Sequence, residues 1–550
     1  MRTITIFISA CMILLIASCS EDFVNLENPN LSTSSTFWKT QGDALLGTNA
    51  MYQALIYDGT YKRKYPWTMD VRADDTYNVT ETGYVMAHIT NYTIGGEEVN
   101  QPWECNYAGI YRANQVLDKL DGIPMDSTLR ERCRGEAYFV RGLCYFNLLI
   151  LYRNVVLYTH EPQSVDDFYI PQSDPADVWE VVIQDFKDAI KGCWNKNETR
   201  NGFKNDLGRA TKAAAAAFLA KAYMMNQRFS EAQPVLKDII DGVYGAYSLT
   251  TNYGDNFFEA NENNEESIFE IQFDASFGSN EASWIGDPQV DWLKVDGYNK
   301  GLAPKGPGIN CWGDICPSVW IFNEFQKERT IDDKKDPRME ISILYYHEDD
   351  PTYTFYGMPQ DTIFSQGYAS TGHESLGITD SFKLWVGKYV YAQGTKDAEW
   401  RSGINRRLVR YADVLLLYAE CLNEAGQTAA AYPIIQQVRN RANLPYLATA
   451  KPGLNQDEMR EQISHERALE LCFETWRYVD LLRWGCFEDE NKLKILLERD
   501  KEYLKYYNPD PNSDGNEADK VWLKGREYLA IPPEEIDRTN GVVHQNPGWN

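Results

Sequence analysis

Apolar residues recur at three- and four-residue steps through most of this 550-residue chain, the period of helices that each bury one face. Ala44, Leu45, Ala50, Met51, Ala54 and Leu55 mark a first helix that starts near Thr40. The pattern returns over 102–120 and again over 129–152, where Ala137, Val140, Arg141, Cys144, Tyr145 and Leu148 share a face. A further helix is predicted over 175–194, with Pro175 suited to its first turn, and another near 492–506. By contrast, 61–96 mixes aromatic residues, glycine and aspartate without a period and reads as a long loop region. The stretch 410–485 is the most strongly patterned. Wound as one helix, 466–485 places Ala468, Cys472, Trp476, Val479 and Leu482 on an apolar stripe and Glu466, Glu470, Glu474, Arg477 and Asp480 opposite it. With Arg467, Arg477 and Arg483 so close, those carboxylates read as a salt-bridged scaffold face and not as acid/base catalysts.

Two segments repeat. Setting Ala220–Leu236 beneath Ala419–Ile435 aligns both alanines (Ala220 with Ala419, Ala232 with Ala431), the prolines Pro234 and Pro433, and the aliphatic pairs that follow, with no gap. Each unit reads as helix, short turn, helix, with alanine where two helices approach closely, which resembles a tetratricopeptide unit. Between the units, Glu266–Phe273 alternates like a short strand. From Asp274 to Gly403 the chain is rich in Gly, Pro, Asp, Tyr and Trp, with regular pattern only near 317–325 and 382–391. That length is too great for a bare loop and predicts a largely irregular insertion packed on the helices.

Composition narrows the function classes. The 54 basic and 80 acidic side chains leave a net charge of -26, and no basic run offsets it, so nucleic acid is not an expected partner. At the N-terminus, Arg2 precedes an apolar run from Ile4 to Ala17 that is too short to span a bilayer and ends in Leu15-Ile16-Ala17-Ser18-Cys19. That ending resembles the lipobox of bacterial lipoproteins, in which the cysteine becomes the lipidated first residue; Glu21-Asp22 resembles a surface-export signal. Of the 11 cysteines, Cys11 and Cys19 belong to this leader, and Cys105, Cys133, Cys144, Cys193, Cys421 and Cys472 sit in helix-like sequence as small buried hydrophobes. Only Cys311 and Cys316, in a glycine-rich loop, look placed to pair.

Several longer motifs resemble the SusD/RagB family of Bacteroidetes outer-membrane nutrient-binding lipoproteins, over essentially the whole mature chain. They are Phe37-Trp38, Glu136–Gly142, Glu266–Phe273, Arg410–Glu424, Glu466–Gly485, Ile531–Ile536 and Gln545–Trp549. Thr475 departs from the pattern where a glycine is usual before the Trp/Arg pair, and Trp549 stands where tyrosine is commoner. The resemblance implies a mainly α fold in which tetratricopeptide-like helical pairs form a scaffold for an irregular insertion carrying short strands. It also implies a surface lipoprotein that captures oligosaccharide for a SusC-like TonB-dependent transporter and has neither cofactor nor catalytic activity. The expected organisation is a signal segment over 1–18, a flexible tether over 19–35 and one body over 36–550. Its scaffold covers 36–245 and 404–550, and its ligand-facing insertion covers 246–403.

The sequence offers no catalytic set to compete with that reading. The six histidines include no i, i+4 pair, and neither GxSxG nor a phosphate-binding loop is present. Asp510, Asn512 and Asp514 match the first half of a calcium loop, but the twelfth position is Val521 and a solvated turn is the better reading. Sugar rings present C–H faces that stack on aromatic side chains, so the ligand-binding candidates are Trp67, Tyr77 and Tyr84 with Asp75 beside them, and Trp284, Trp292, Tyr298 and Trp312 in the insertion. Trp320, followed by Ile321-Phe322, reads as core. A peptide ligand on the same architecture is the alternative, and a glycan-cleaving enzyme a third reading.

Overall fold

The computed structural model describes residues 37–78, 95–275, 297–366, 384–392, 402–507 and 524–549, excepting the side chains at 77, 78, 305, 310, 365, 366 and 500–507. Helix α1 (Gln41–Gln53) starts where its pattern predicts, closed by a capping box between Thr40 and Asp43. The next segment is not the loop its sequence suggests. It winds into a π-helical turn at Asp58–Lys62 and helix α2 (Lys64–Val71) before the short strand β1 (Thr76–Asn78). All eight residues of α2 are buried, so it has no polar face and shows no amphipathic period. Its lysine, Lys64, is paired with Glu98 at 2.8 Å.

Helices α3 (Glu97–Lys119), α4 (Ser127–Tyr152) and α5 (Pro175–Gly192) follow, α4 capped by Asp126 and α5 opening on Pro175 as expected. Gly135 lets α4 and α5 cross at close range, since a Cβ there would lie 2.4 Å from the Cys193 nitrogen. Arg141 then clamps the pair through two bonds to Asp185, at 2.8 and 2.7 Å. Next come α6 (Lys212–Met225), α7 (Phe229–Ile240) and strand β2 (Ser267–Ile271). The insertion contributes β3 (Ile315–Pro317), α8 (Val319–Phe325), α9 (Pro337–Ser342), β4 (Ile343–Leu344) and β5 (Trp385–Val386). Strand β6 (Arg406–Arg410) leads into α10 (Tyr411–Glu424) and α11 (Thr428–Arg441), followed by α12 (Gln456–Leu471), α13 (Trp476–Arg483) and α14 (Glu490–Tyr507).

The repeat is a pair of helical hairpins. Ala220, Ala232, Ala419 and Ala431 are fully buried, and the two prolines stand at the sixth residue of α7 and of α11. Each helix from α3 to α7 packs on the next, and α7 packs on α10, so the array runs on across the insertion as though it were absent. Strands β2 and β6 pair antiparallel at the splice, and β2 is buried on both faces rather than alternating. The insertion has a core of its own, closed from below by Trp67 and Val71 of α2 and by Ala468, Leu469, Cys472 and Phe473 from the end of α12.

The signature stretch 466–485 is two helices, not one. Between α12 and α13 the chain takes positive φ at Phe473 (60°) and Thr475 (70°). Thr475 thus occupies a left-handed position that glycine adopts without steric cost, which explains why a glycine is usual there. Its carboxylates are ion-paired as the sequence suggests, but inside the protein. Glu470 receives Arg410 at 2.7 Å, Arg338 at 3.2 Å and also Arg441. Arg467 joins Asp413 and Asp480, each at 2.8 Å, and Lys221 joins Asp413 at 2.5 Å. Although burial raises it, the arginines around Glu470 hold its carboxyl well below the usual range, and Arg467 and Arg483 hold Asp480 down to about 2. These charges lock α6, α10, α11, α12 and α13 to the insertion through Arg338 and Lys388.

Candidate ligand-binding site

Where the insertion meets α2, the side chains are stacked in layers. Trp67 leaves α2 to lie against Gly301, where a Cβ would come 2.5 Å from its ring, and meets Tyr298 edge-on with centroids 6.1 Å apart. The Tyr298 hydroxyl donates to Asp70 at 2.5 Å, and the Arg406 guanidinium lies 4.6 Å from the Tyr298 ring. Above this layer Lys300 is buried with its ammonium 4.9 Å from the Trp312 ring centre, and the Trp312 backbone N–H donates to the Lys300 carbonyl at 2.7 Å. Trp312 is held from beneath by a cation–π contact and is 36% exposed. Gly313 follows at φ 63°, with Trp385 Nε1 only 3.0 Å from where a Cβ would be, so this tight turn needs glycine. Burial pushes the Asp314 carboxyl up to about 7 against the pull of Lys300.

Beneath the layers lies an aspartate cluster. Asp70 accepts from the Thr475 N–H at 2.9 Å, Asp75 from the Phe473 N–H at 3.3 Å, and Asp74 from Arg477 at 2.6 and 3.0 Å. The three carboxylates hold the break between α12 and α13 against α2. Burial raises Asp70 to about 6; burial, with Asp70 and Asp74 beside it, raises Asp75 to about 8.

The expected ligand contacts therefore divide. Trp312 lies at the surface. Trp67 (5% exposed), Tyr298 (0%) and Asp75 (0%) do not, because Gly301, Asp70 and the α12–α13 break fill the space around them; they support the site and do not line it. Tyr77 is in β1, opposite Cys316, with its side chain outside the described residues. Tyr84, Trp284, Trp292, Cys19, Asp510, Asn512 and Asp514 also lie outside them. β1 ends with Asn78 opposite Ile315, and Gly297 donates to the Lys62 carbonyl just before Tyr298. Cys311 and Cys316 are buried thiols and not a disulfide, the Cys316 Sγ donating to the Gly313 carbonyl at 3.4 Å. Trp320 is half-buried, beneath the guanidiniums of Arg477 and Arg499. Sequence reasoning missed Lys300 and Asp314; the glycine directly after Trp312 was the available signal of a constrained, presented aromatic.

Among the described residues, no group of three or more His, Cys, Asp or Glu side chains is placed to hold a metal ion, and no helix is long and apolar enough to cross a membrane. What this surface offers is an indole on a rigid base, suited to stacking against an apolar or C–H-rich ligand face.

Comparison with known proteins covers the whole fold. Residues 265–549 match a sequence model of the SusD family, and 26–224 match one described as "starch-binding associating with outer membrane". A SusD-like protein, P38 of Formosa agariphila, is 27% identical over 487 residues, covering 85% of this chain and 88% of that protein. The crystal structure of a SusD superfamily protein from Bacteroides vulgatus superposes with a TM-score of 0.73 at 25% identity, covering 94% of this chain and all of that one (100%). A laminarin-binding SusD-like protein superposes with a TM-score of 0.66 at 24% identity, covering 93% of this chain and 100% of that chain.

Proposed function

Because the chain belongs to the SusD family, we propose that it is a cell-surface glycan-binding lipoprotein that captures oligosaccharide and passes it on chemically unchanged. The observation that carries this reading is Trp312, exposed on a base of Lys300, Tyr298 and Trp67 that is itself fastened to the helical array. Stacking on a fixed indole costs little ordering entropy, which suits recognition of a sugar ring by its C–H face. The family description and the laminarin-binding neighbour support a saccharide as the ligand.

In this reading Cys19 carries the lipid that holds the protein on the outer membrane, and a SusC-like TonB-dependent transporter receives the ligand. Sequence around Cys19 and the family description support the membrane placement. The direct test incubates purified protein with oligosaccharides and follows both heat of binding and product by chromatography. Saturable binding with unaltered saccharide is the expected result. Shortened products, or heat only with peptides, would overturn it.

A further inference from the structure

Away from Trp312, a cavity of about 530 Å³ opens where α10 and the turn between α6 and α7 meet α12, α13 and α14. Ligand pockets commonly span roughly 300–1,000 Å³, so this space is large enough for a small ligand. At the end formed by α13 and α14, cations outnumber anions. Arg477 and Arg499 converge on one carboxylate, Asp74, and both lie over Trp320 with their guanidiniums 5.1 and 4.0 Å from its ring. Lys492 joins them, its ammonium donating to the Trp484 carbonyl at 2.8 Å. Cys486 lines the wall beside them. Asp489 near Lys492 is exposed and engaged in capping α14. At the other end anions outnumber cations, with Arg483 on Glu420, Arg460 on Glu424 and Asp457, and Glu461 also in the lining.

A net positive end to this pocket is notable in a chain of net charge -26. Between its two ends stands Trp484, half-buried, fixed by its Nε1–H on Glu420 at 2.9 Å, with Phe229 and Ile495 completing an apolar wall. Cations beside a fixed aromatic face match a sugar that bears a carboxylate or a sulfate.

We propose that this cavity is a second saccharide site, selective for an anionic sugar: the acid group lies among Lys492, Arg477 and Arg499, and the ring packs on Trp484. The choice of a sugar as carrier rests on the glycan-binding reading; the preference for an anion rests on the charges alone. The test titrates the mature protein calorimetrically with a trigalacturonate and with its uncharged methyl ester, at low and at raised salt. Variants Lys492→Ala, at an exposed position that folding tolerates, and Trp312→Ala are measured beside the parent.

The acid form should bind about tenfold tighter than the ester, and Lys492→Ala should erase about that factor, the weight of one charge-assisted hydrogen bond. Raised salt should weaken the acid form only, and Trp312→Ala should leave its binding unchanged. Equal affinity for acid and ester, indifference to Lys492→Ala, loss through Trp312→Ala, or no binding of the acid form would each overturn the proposal. Ester binding that depends on Trp312 leaves the glycan-binding reading standing on its own, so the two ideas fail separately.

Discussion

Replacing Asp75 by asparagine should make the protein more stable at neutral pH and less stable in acid. Asp75 is fully buried; its Oδ2 accepts the Phe473 N–H at 3.3 Å and its Oδ1 has no hydrogen-bond partner among the described residues. Burial, with Asp70 and Asp74 beside it, raises the carboxyl from 3.8 to about 8. The sign follows from proton binding. Below pH 4 both states are protonated and the contribution to stability is whole. As pH rises past the unfolded value the denatured chain releases the proton while the native protein keeps it until about pH 8, so stability falls by about 1.36 kcal/mol per pH unit across that window. At pH 7 the accumulated cost is about 4 kcal/mol. Asparagine does not titrate and still accepts from Phe473, but it buries an N–H₂ group where Oδ1 stood, at about 1–2 kcal/mol. The variant should therefore gain about 2 kcal/mol at pH 7, break even near pH 5 and lose about 1–2 kcal/mol at pH 4. Urea unfolding of parent and variant, followed by tryptophan fluorescence from pH 4 to 8, measures the difference directly. A flat difference curve, or one that falls as pH rises, would mean that Asp75 is ionised in the fold and that the argument is wrong.

Glu470→Gln removes the buried carboxylate on which Arg338, Arg410 and Arg441 all converge, and should cost about 3–5 kcal/mol in the same unfolding assay. A loss under about 1 kcal/mol would show that the network relaxes around the neutral side chain. Gly135→Ala drives a methyl into the backbone at Gly192 and Cys193, so α4 and α5 must separate, costing about 1–3 kcal/mol and lowering Tm. An unchanged Tm would refute that close crossing. Mature protein denatured without reductant should show nine reactive thiols by colorimetric titration, one for each cysteine from Cys105 to Cys486. A pair missing from that count would mean that Cys311 and Cys316 are joined after all.

The helical array was legible because most of its helices keep one polar face, and because close helix crossings demand alanine and glycine at fixed places. Thus α1, α4 and the two hairpins fall where the pattern puts them. Helix α2 was not legible, since a helix buried all round has no alternation to read. Nor was the break at Phe473–Thr475, where the apolar stripe continues from α12 into α13 even though the backbone reverses through positive φ. The carboxylates of 466–485 were rightly assigned to structure, yet their burial was hidden, because the arginines that neutralise them come from positions as distant as Arg338. The same blindness to burial separates the site residues. Trp67, Tyr298 and Trp312 look alike in sequence, and only the packing of Gly301 and Lys300 distinguishes support from surface.

The central claim is that a ligand stacks on Trp312. It is tested by calorimetric titration of the parent and of Trp312→Ala with α- and β-glucan oligosaccharides and with peptides, circular dichroism verifying that both proteins are folded. The account predicts saturable binding of at least one oligosaccharide and a loss of at least about tenfold in affinity on removing the indole, the scale of a buried aromatic anchor. Oligosaccharide binding that survives Trp312→Ala at full strength would contradict it.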